Sequence, residues 1–336
     1  MRNAVAAVAL ALSAFAAPCA HAGDESPREW LDRMTTSLAT LDYEGLFTHS
    51  TGAQSETMRI VHRVRDGRST ERLVSLDGSE REIVRTPEEV HFYMPDRKVV
   101  LVEPRTDGGS LLRALPAPGP KLDAVYTLSL RKGNRMLGRE VRILDIQPRD
   151  QYRYGYRLWL DEDTAMPLRS EVIDRHGHAL EAIHFTQLDV GGDIDAGDLE
   201  PQLDATGYRW VRHGRRAEPR VATTTWQVRN VPPGFRLVAS RLQVVPGQPV
   251  PVQHLIFSDG VASVSVFIEP GTAKGPTPPE STRVGSANAF STQVGGHVVT
   301  AIGEVPADTV RDIATSLAPA SAASPTAPPK PQVKAP

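Results

Sequence analysis

Three histidines are the first residues to weigh for chemistry. His176-Gly-His178 reads as a turn, with His184 close behind. A turn can bring two imidazoles together, and zinc wants three or four such ligands. No carboxylate or fourth ligand stands at a telling offset. The pair is expected to be polar turn residues, and no metal is assigned. Asp161, Glu162 and Asp163 form an acidic run that suggests calcium. It lacks the glycine and the distal glutamate of a calcium loop, so a solvated turn is expected. Tyr152, Tyr154 and Tyr156 share one strand face by parity, with Arg153, Arg157 and Trp159 on the other. The tyrosines fit either packing or a ligand cavity. A Gly-x-Ser-x-Gly elbow, a phosphate-binding glycine loop, a His-Glu-x-x-His pair and a cysteine pair are all absent. No catalytic residue and no cofactor is assigned, and the chain is not expected to be an enzyme.

The amino terminus places whatever chemistry there is. Arg2 is a short positive region, Val5 to Ala17 is apolar, and Ala20-His21-Ala22 is a small-x-small cleavage site. That pattern predicts a secretory signal peptide over residues 1–22. Cleavage removes Cys19, the only cysteine. Pro18 directly before it fits poorly with lipid acylation. A soluble, disulfide-free protein starting at Gly23 is expected, which suits a bacterial periplasm. A net charge of −2 gives nucleic-acid binding no support.

The rest of the chain divides by pattern. Ser26-Pro27-Arg28-Glu29 is a helix start with a capping box, and Trp30, Met34, Leu38 and Leu41 follow at helical spacing. From Gly45 to Val190 short alternating strands follow one another. Asp66-Gly67 and Asp77-Gly78 read as tight hairpin turns. Leu111 to Leu115 reads as a short helix or loop. The fold class expected is α+β: one large curved antiparallel sheet with the first helix against it, then a smaller α+β unit. The domain bounds are 23–206, a basic linker at 207–225, a second domain at 226–317, and an Ala/Pro tail at 318–336 too poor in apolar bulk to order itself.

Several runs resemble the MucB/RseB family of periplasmic regulators of an envelope-stress sigma factor. They are Trp30-Leu-Asp-Arg-Met34, Leu41-Asp-Tyr-Glu-Gly-Leu-Phe47, Glu56-Thr-Met-Arg-Ile60 with His62, and Leu76-Asp-Gly78 with Arg81-Glu82. Tyr152-Arg-Tyr-Gly-Tyr-Arg-Leu-Trp-Leu-Asp161 with Pro167-Leu168 is the most characteristic. Pro233-Gly-Phe235, Ser258-Asp-Gly260, Ser263-Val-Ser-Val-Phe-Ile-Glu269 and Gly303-Glu-Val-Pro306 extend the likeness into the second domain. The resemblance implies a half-open barrel with helices like the lipoprotein carriers LolA and LolB, followed by a smaller domain. It also implies binding to the periplasmic domain of a membrane-spanning anti-sigma factor, protection of that factor from its first protease, and release by lipopolysaccharide or a similar amphiphile. Homo-oligomerisation is left open, and the Ala/Pro tail is outside the family pattern.

Two sets of residues are then candidates. Phe47, Met58, Ile60, Phe92, Tyr126 and Trp159 include residues expected to line an apolar lipid pocket between the sheet and the first helix. Arg212, Arg215 and Arg216 of the basic linker, with the Ser263/Ser265 strand face, are expected to hold the anti-sigma partner. A lipid or lipoprotein carrier is the rival function, and the second domain speaks against it, because a simple carrier does not need one.

Overall fold

A computed structural model describes residues 26–105, 122–212, 226–243, 251–271 and 278–319. The predicted helix α1 spans Pro27–Thr40. Ser26 Oγ accepts from Glu29 N–H while the Glu29 carboxylate accepts from Ser26 N–H, closing the expected capping box. Two runs of hairpins follow. The first is β1 (Tyr43–Thr51), β2 (Gln54–Arg65), β3 (Arg68–Ser75), β4 (Glu82–Arg85), β5 (Glu89–Met94) and β6 (Val99–Pro104). A short helix, α2 (Leu122–Val125), leads into β7 (Tyr126–Lys132), β8 (Val141–Pro148), β9 (Gly155–Asp161), β10 (Pro167–Ile173) and β11 (Ala179–Val190). Pairing of β1 with β11 joins the runs into one open twelve-stranded sheet with β7 at one edge.

The other edge departs from expectation. Arg209–Arg212, inside the stretch read as a linker, forms β12 and pairs parallel to β6. The cause lies just upstream. Residues 191–208 run as a strap across the outer face of the sheet. Ile194 and Leu199 pack on Val61, and Leu203, Ala205 and Tyr208 pack around Val84, Tyr93, Val100 and Val102. The buried Glu82 carboxylate accepts from the backbone N–H of Gln202 and Leu203, at 3.1 and 3.0 Å, and pairs with Arg72. The strap thus delivers the chain to the β6 edge already aligned with it.

Other turns also correct the sequence-based picture. Asp66 and Gly67 both have positive φ, as a tight hairpin needs, whereas Asp77 does not. Its carboxylate instead accepts from Thr57 N–H at 2.7 Å, pinning a longer β3–β4 loop. Asp161 is buried, not solvated. It holds Arg139 at 3.0 Å and Thr164 Oγ1 at 2.6 Å, which locks the β9–β10 turn. The predicted element at Leu111–Leu115 lies outside the described residues.

The second unit holds β13 (Trp226–Val228), β14 (Arg236–Gln243), β15 (Val252–Ser258), β16 (Ser263–Pro270), β17 (Glu280–Val284), β18 (Ala287–Val294) and β19 (His297–Gly303). Helix α3 (Ala307–Ser316) packs on β18 and β19, and β20 (Leu317–Pro319) returns to pair with β13. Leu255, Phe257, Val264, Val266, Phe290 and Val299 meet Val310 and Ile313 of α3 in its core. No helix among the described residues is long and apolar enough to cross a membrane.

Candidate functional site

Helix α1 decides where a pocket can form. Trp30, Leu31, Met34 and Leu38 fill the space over β7–β10, against Tyr126, Leu144, Ile146 and Leu158. The inner face of β2–β6 receives no residue of α1 in its pocket lining. There, Ile60, Leu73, Ile83, Phe92 and Leu101 stand directly opposite one another on successive strands. Ile60 and Leu73 are buried, while Ile83, Phe92 and Leu101 are half-buried toward the edge. Leu73, Ile83, Phe92 and Leu101, with Met58, line an apolar pocket of about 420 Å³. That is the size of a small-molecule site. Gly45 begins the row opposite Ile60. A Cβ there would stand 2.5 Å from the Gln187 carbonyl oxygen and 2.9 Å from the Phe185 ring, so glycine is required for β11 and that ring to approach the row.

The pocket opens past His49, Glu56 and Arg81 into a larger cleft of about 1220 Å³ between the two sheets. Glu181 on β11 accepts from His49 of the neighbouring β1 at 2.7 Å and, across the cleft, from Ser286 Oγ of the β17–β18 turn at 2.6 Å. The hydrogen bond and charge of Glu181 raise the His49 pKa, and His49 lowers that of Glu181. Glu304 keeps contact with water but stands within the cleft walls. Desolvation and the neighbouring Glu181 carboxylate raise its pKa.

A second seam sits at the other edge of the contact between units. Arg153, with no exposed side-chain surface, lies 2.9 Å from the equally buried Asp259 and donates to Pro233 O at 2.6 Å. It also holds Asp150 at 2.9 Å and lies over the Tyr126 and Phe235 rings. Asn288 donates to Tyr154 Oη at 2.9 Å, and Thr309 Oγ1 donates to Tyr152 O at 2.8 Å. The tyrosine run therefore works in packing and in this seam.

Models of the MucB/RseB N-terminal and C-terminal domains match residues 26–203 and 220–318. The chain belongs to the MucB/RseB family. It is 35% identical over 321 residues to the sigma factor AlgU regulatory protein MucB of Pseudomonas aeruginosa, covering 93% of this chain and 96% of that one. Over 304 residues it is 27% identical to the sigma-E factor regulatory protein RseB of Escherichia coli K12, covering 85% and 89%. A crystal structure of MucB in complex with MucA(peri) matches with a TM-score of 0.69 at 31% identity, covering 88% of this chain and 100% of that one.

Within this MucB/RseB fold the lipid candidates separate. Met58 and Phe92 line the pocket, and Ile60 lies buried in the same row. Phe47 is buried against Phe185, 5.4 Å between ring centres. Tyr126 is buried beside Arg153, at the far arm of the sheet. Trp159 is on the opposite face, with Arg169 over its ring at 4.8 Å and Ile143 and Leu168 packed around it. The pocket expected beneath α1 is thus corrected to the β2–β6 arm, because helix side chains fill the space over β7–β10. Of the partner candidates, Arg212 pairs with Glu89 at 2.8 Å, Ser263 is exposed and Ser265 half-buried. Arg215 and Arg216 lie outside the described residues. His176 and His178 sit in a turn whose Asp174 carboxylate accepts from both their backbone N–H groups.

The Glu181 latch has a pH signature. The raised pKa values of His49 and Glu304 mean that the folded protein binds their protons more tightly than the unfolded chain does. That contribution is present below their ordinary values of 6.5 and 4.5, and is lost as pH rises through the raised ones. Glu181 acts oppositely: its contribution is lost as pH falls through its lowered value. Glu56 faces the same cleft but is neutralised by Arg81. Because water reaches Glu304, His49 carries more of the effect. The melting temperature is expected to peak at mildly acidic pH and to fall toward pH 8 in wild type, with the alkaline limb flattened in His49→Gln. An unchanged limb in that variant would show that other groups set the profile.

Proposed function

We propose that this protein regulates an envelope-stress sigma factor by holding the periplasmic segment of a membrane-spanning anti-sigma factor and shielding it from its first protease. A lipid-like amphiphile then ends the shielding. Membership of the MucB/RseB family over both units supports the partner, since a MucB relative is solved with MucA(peri). The signal-peptide pattern supports the periplasmic site of action. The observation that carries the amphiphile is the apolar pocket that opens directly into the cleft between the units. An acyl chain fits the Met58, Leu73, Ile83 and Phe92 wall, leaving its headgroup among His49, Glu56 and Arg81.

Protection follows from occupancy and needs no catalytic group. Release requires that amphiphile and partner favour different states; equal affinity would shift nothing. Each then lowers the other's affinity by the same factor. The test measures cleavage of the anti-sigma segment by its site-one protease as the mature protein is added, with and without lipopolysaccharide. Cleavage falls in proportion to complex formed and recovers with the amphiphile. Unchanged partner affinity at saturating amphiphile removes the switch. Transfer of bound lipid to acceptor vesicles with no effect on cleavage favours a carrier, the second reading that the pocket supports.

The partner surface is assigned to Arg212, Arg215, Arg216 and the Ser263/Ser265 face. Charges at the rim of an interface act mainly on encounter. Replacing the three arginines by alanine is expected to slow association and flatten its salt dependence, with little change in dissociation rate. An unaltered association rate in stopped flow would place the contact elsewhere.

A further inference from the structure

The β7–β8 hairpin ends in a turn that carries two penalties at once. Met136 and Arg139 pair across it, and Leu137 and Gly138 both have positive φ, at 50° and 76°. Tight hairpins of this kind favour Asn or Gly at the first of these positions. Leucine is disfavoured there because its Cβ crowds the backbone. Leu137 is also 39% exposed. Asn would relieve both the backbone strain and the exposed apolar surface, so the fold alone gives no reason for leucine. Local strain of this sort points to function.

The surroundings say what the tip meets. Met136 packs behind it with Val141, Ile143 and Leu168, which holds the tip stiffly outward. Lys132 and Arg135 share one acid, Glu140, at 3.9 and 3.3 Å, and their side chains are 69% and 67% exposed. Arg131 and Arg157 share Asp145. Arg139 and Arg142 pair with Asp161 and Glu162. The neighbouring β9–β10 turn adds one exposed acid, Asp163, and Arg33, whose guanidinium reaches the Glu162 and Asp163 carbonyls. The collar around Leu137 is therefore net positive.

We propose that this hairpin tip is a foot that rests on an anionic lipid surface, with Leu137 entering the interface and Lys132 and Arg135 meeting the headgroups. An apolar tip inside a cationic collar matches both layers of such a surface. The geometry leaves the rest of the molecule free. β8 runs from the tip to Pro148, and the turn after it carries Arg153 into the seam between units. Eight strand residues at about 3.3 Å each put the tip roughly 26 Å from that seam. The cleft and pocket stay open while the foot is down.

The experiment sediments the full mature chain with vesicles of phosphatidylcholine alone or with added phosphatidylglycerol. Wild type should bind the anionic vesicles, less so as salt rises. Leu137→Asn should weaken that binding roughly tenfold, from loss of a buried leucine, and should melt at or above the wild-type temperature. Lys132→Gln with Arg135→Gln should weaken it about tenfold or more. Vesicle binding that survives Leu137→Asn but falls in Phe92→Ala comes from the amphiphile pocket and overturns the foot. So does equal binding to both vesicle types, or none to the anionic one.

Discussion

Arg153→Ala is expected to cost about 3–5 kcal/mol of stability, the largest effect of any single substitution in the seam. The reason is what it leaves behind. Asp259 Oδ1 is satisfied by the Val261 and Ala262 N–H groups at 2.8 Å each, but Oδ2 faces Arg153. Without the guanidinium, a fully buried carboxylate oxygen loses its counter-charge, and the Pro233 carbonyl loses its donor. The Phe235 and Tyr126 rings also lose the cation between them. Lysine cannot substitute, since a point charge cannot reach Asp150, Asp259 and Pro233 together as a planar fork does. Because Arg153 joins the two units, its loss should also change the form of unfolding. Calorimetry should resolve two transitions in the variant where wild type gives one. A single transition at the wild-type temperature would show that Arg153 does not hold the seam.

That seam was hidden in the sequence, although its residues were in view. Tyr152, Arg153 and Tyr154 lie in a run singled out for its tyrosines, and strand parity assigned them to faces of a strand. β9 begins only at Gly155. The three residues before it lie in the β8–β9 turn, which packs against the second unit, and their partners Asp259, Asn288 and Thr309 are more than 100 positions away. No periodicity spans such a gap. By contrast, helix α1 was legible within a residue or two, because its capping box and helical spacing specify it locally. The pocket was legible in part. Met58 and Phe92 stood out as large apolar residues in alternating strands. Leu73, Ile83 and Leu101 join them only through register, which links strands that sequence alone leaves unpaired. Trp159 was misplaced for a simple reason: the cluster of Ile143 and Leu168 makes the outer face apolar there too. The His49–Glu181–Ser286 latch carried no local signal at all.

The cross-strand row makes the second large prediction, because its burial is graded while its chemistry is uniform. Ile60 is fully buried and Leu73 nearly so, whereas Ile83 and Phe92 are half-buried and face the pocket. Truncating Ile60 to Ala opens a cavity in packed core, which costs about 2–5 kcal/mol. Ile83→Ala and Phe92→Ala remove side chains whose outer surfaces already meet the pocket. Their cost to stability should be about 1 kcal/mol or less, because much of the removed area was never withdrawn from water. Their effect on an acyl chain is the reverse. Each removes a wall of the pocket, so affinity for a fluorescent long-chain fatty acid should fall about tenfold while the melting temperature barely moves. Trp159→Ala, on the outer face, should leave that affinity unchanged. The opposed pattern is the informative part, since a purely structural row would lose stability at every position and show no ligand effect. If Phe92→Ala shifts only the melting temperature, and wild type takes up no fatty acid, the row is core and the pocket is not a ligand site. If affinity falls as expected, the same variant should hold its anti-sigma partner normally and fail to release it when lipopolysaccharide is added, because the ligand that must favour the free state can no longer bind it.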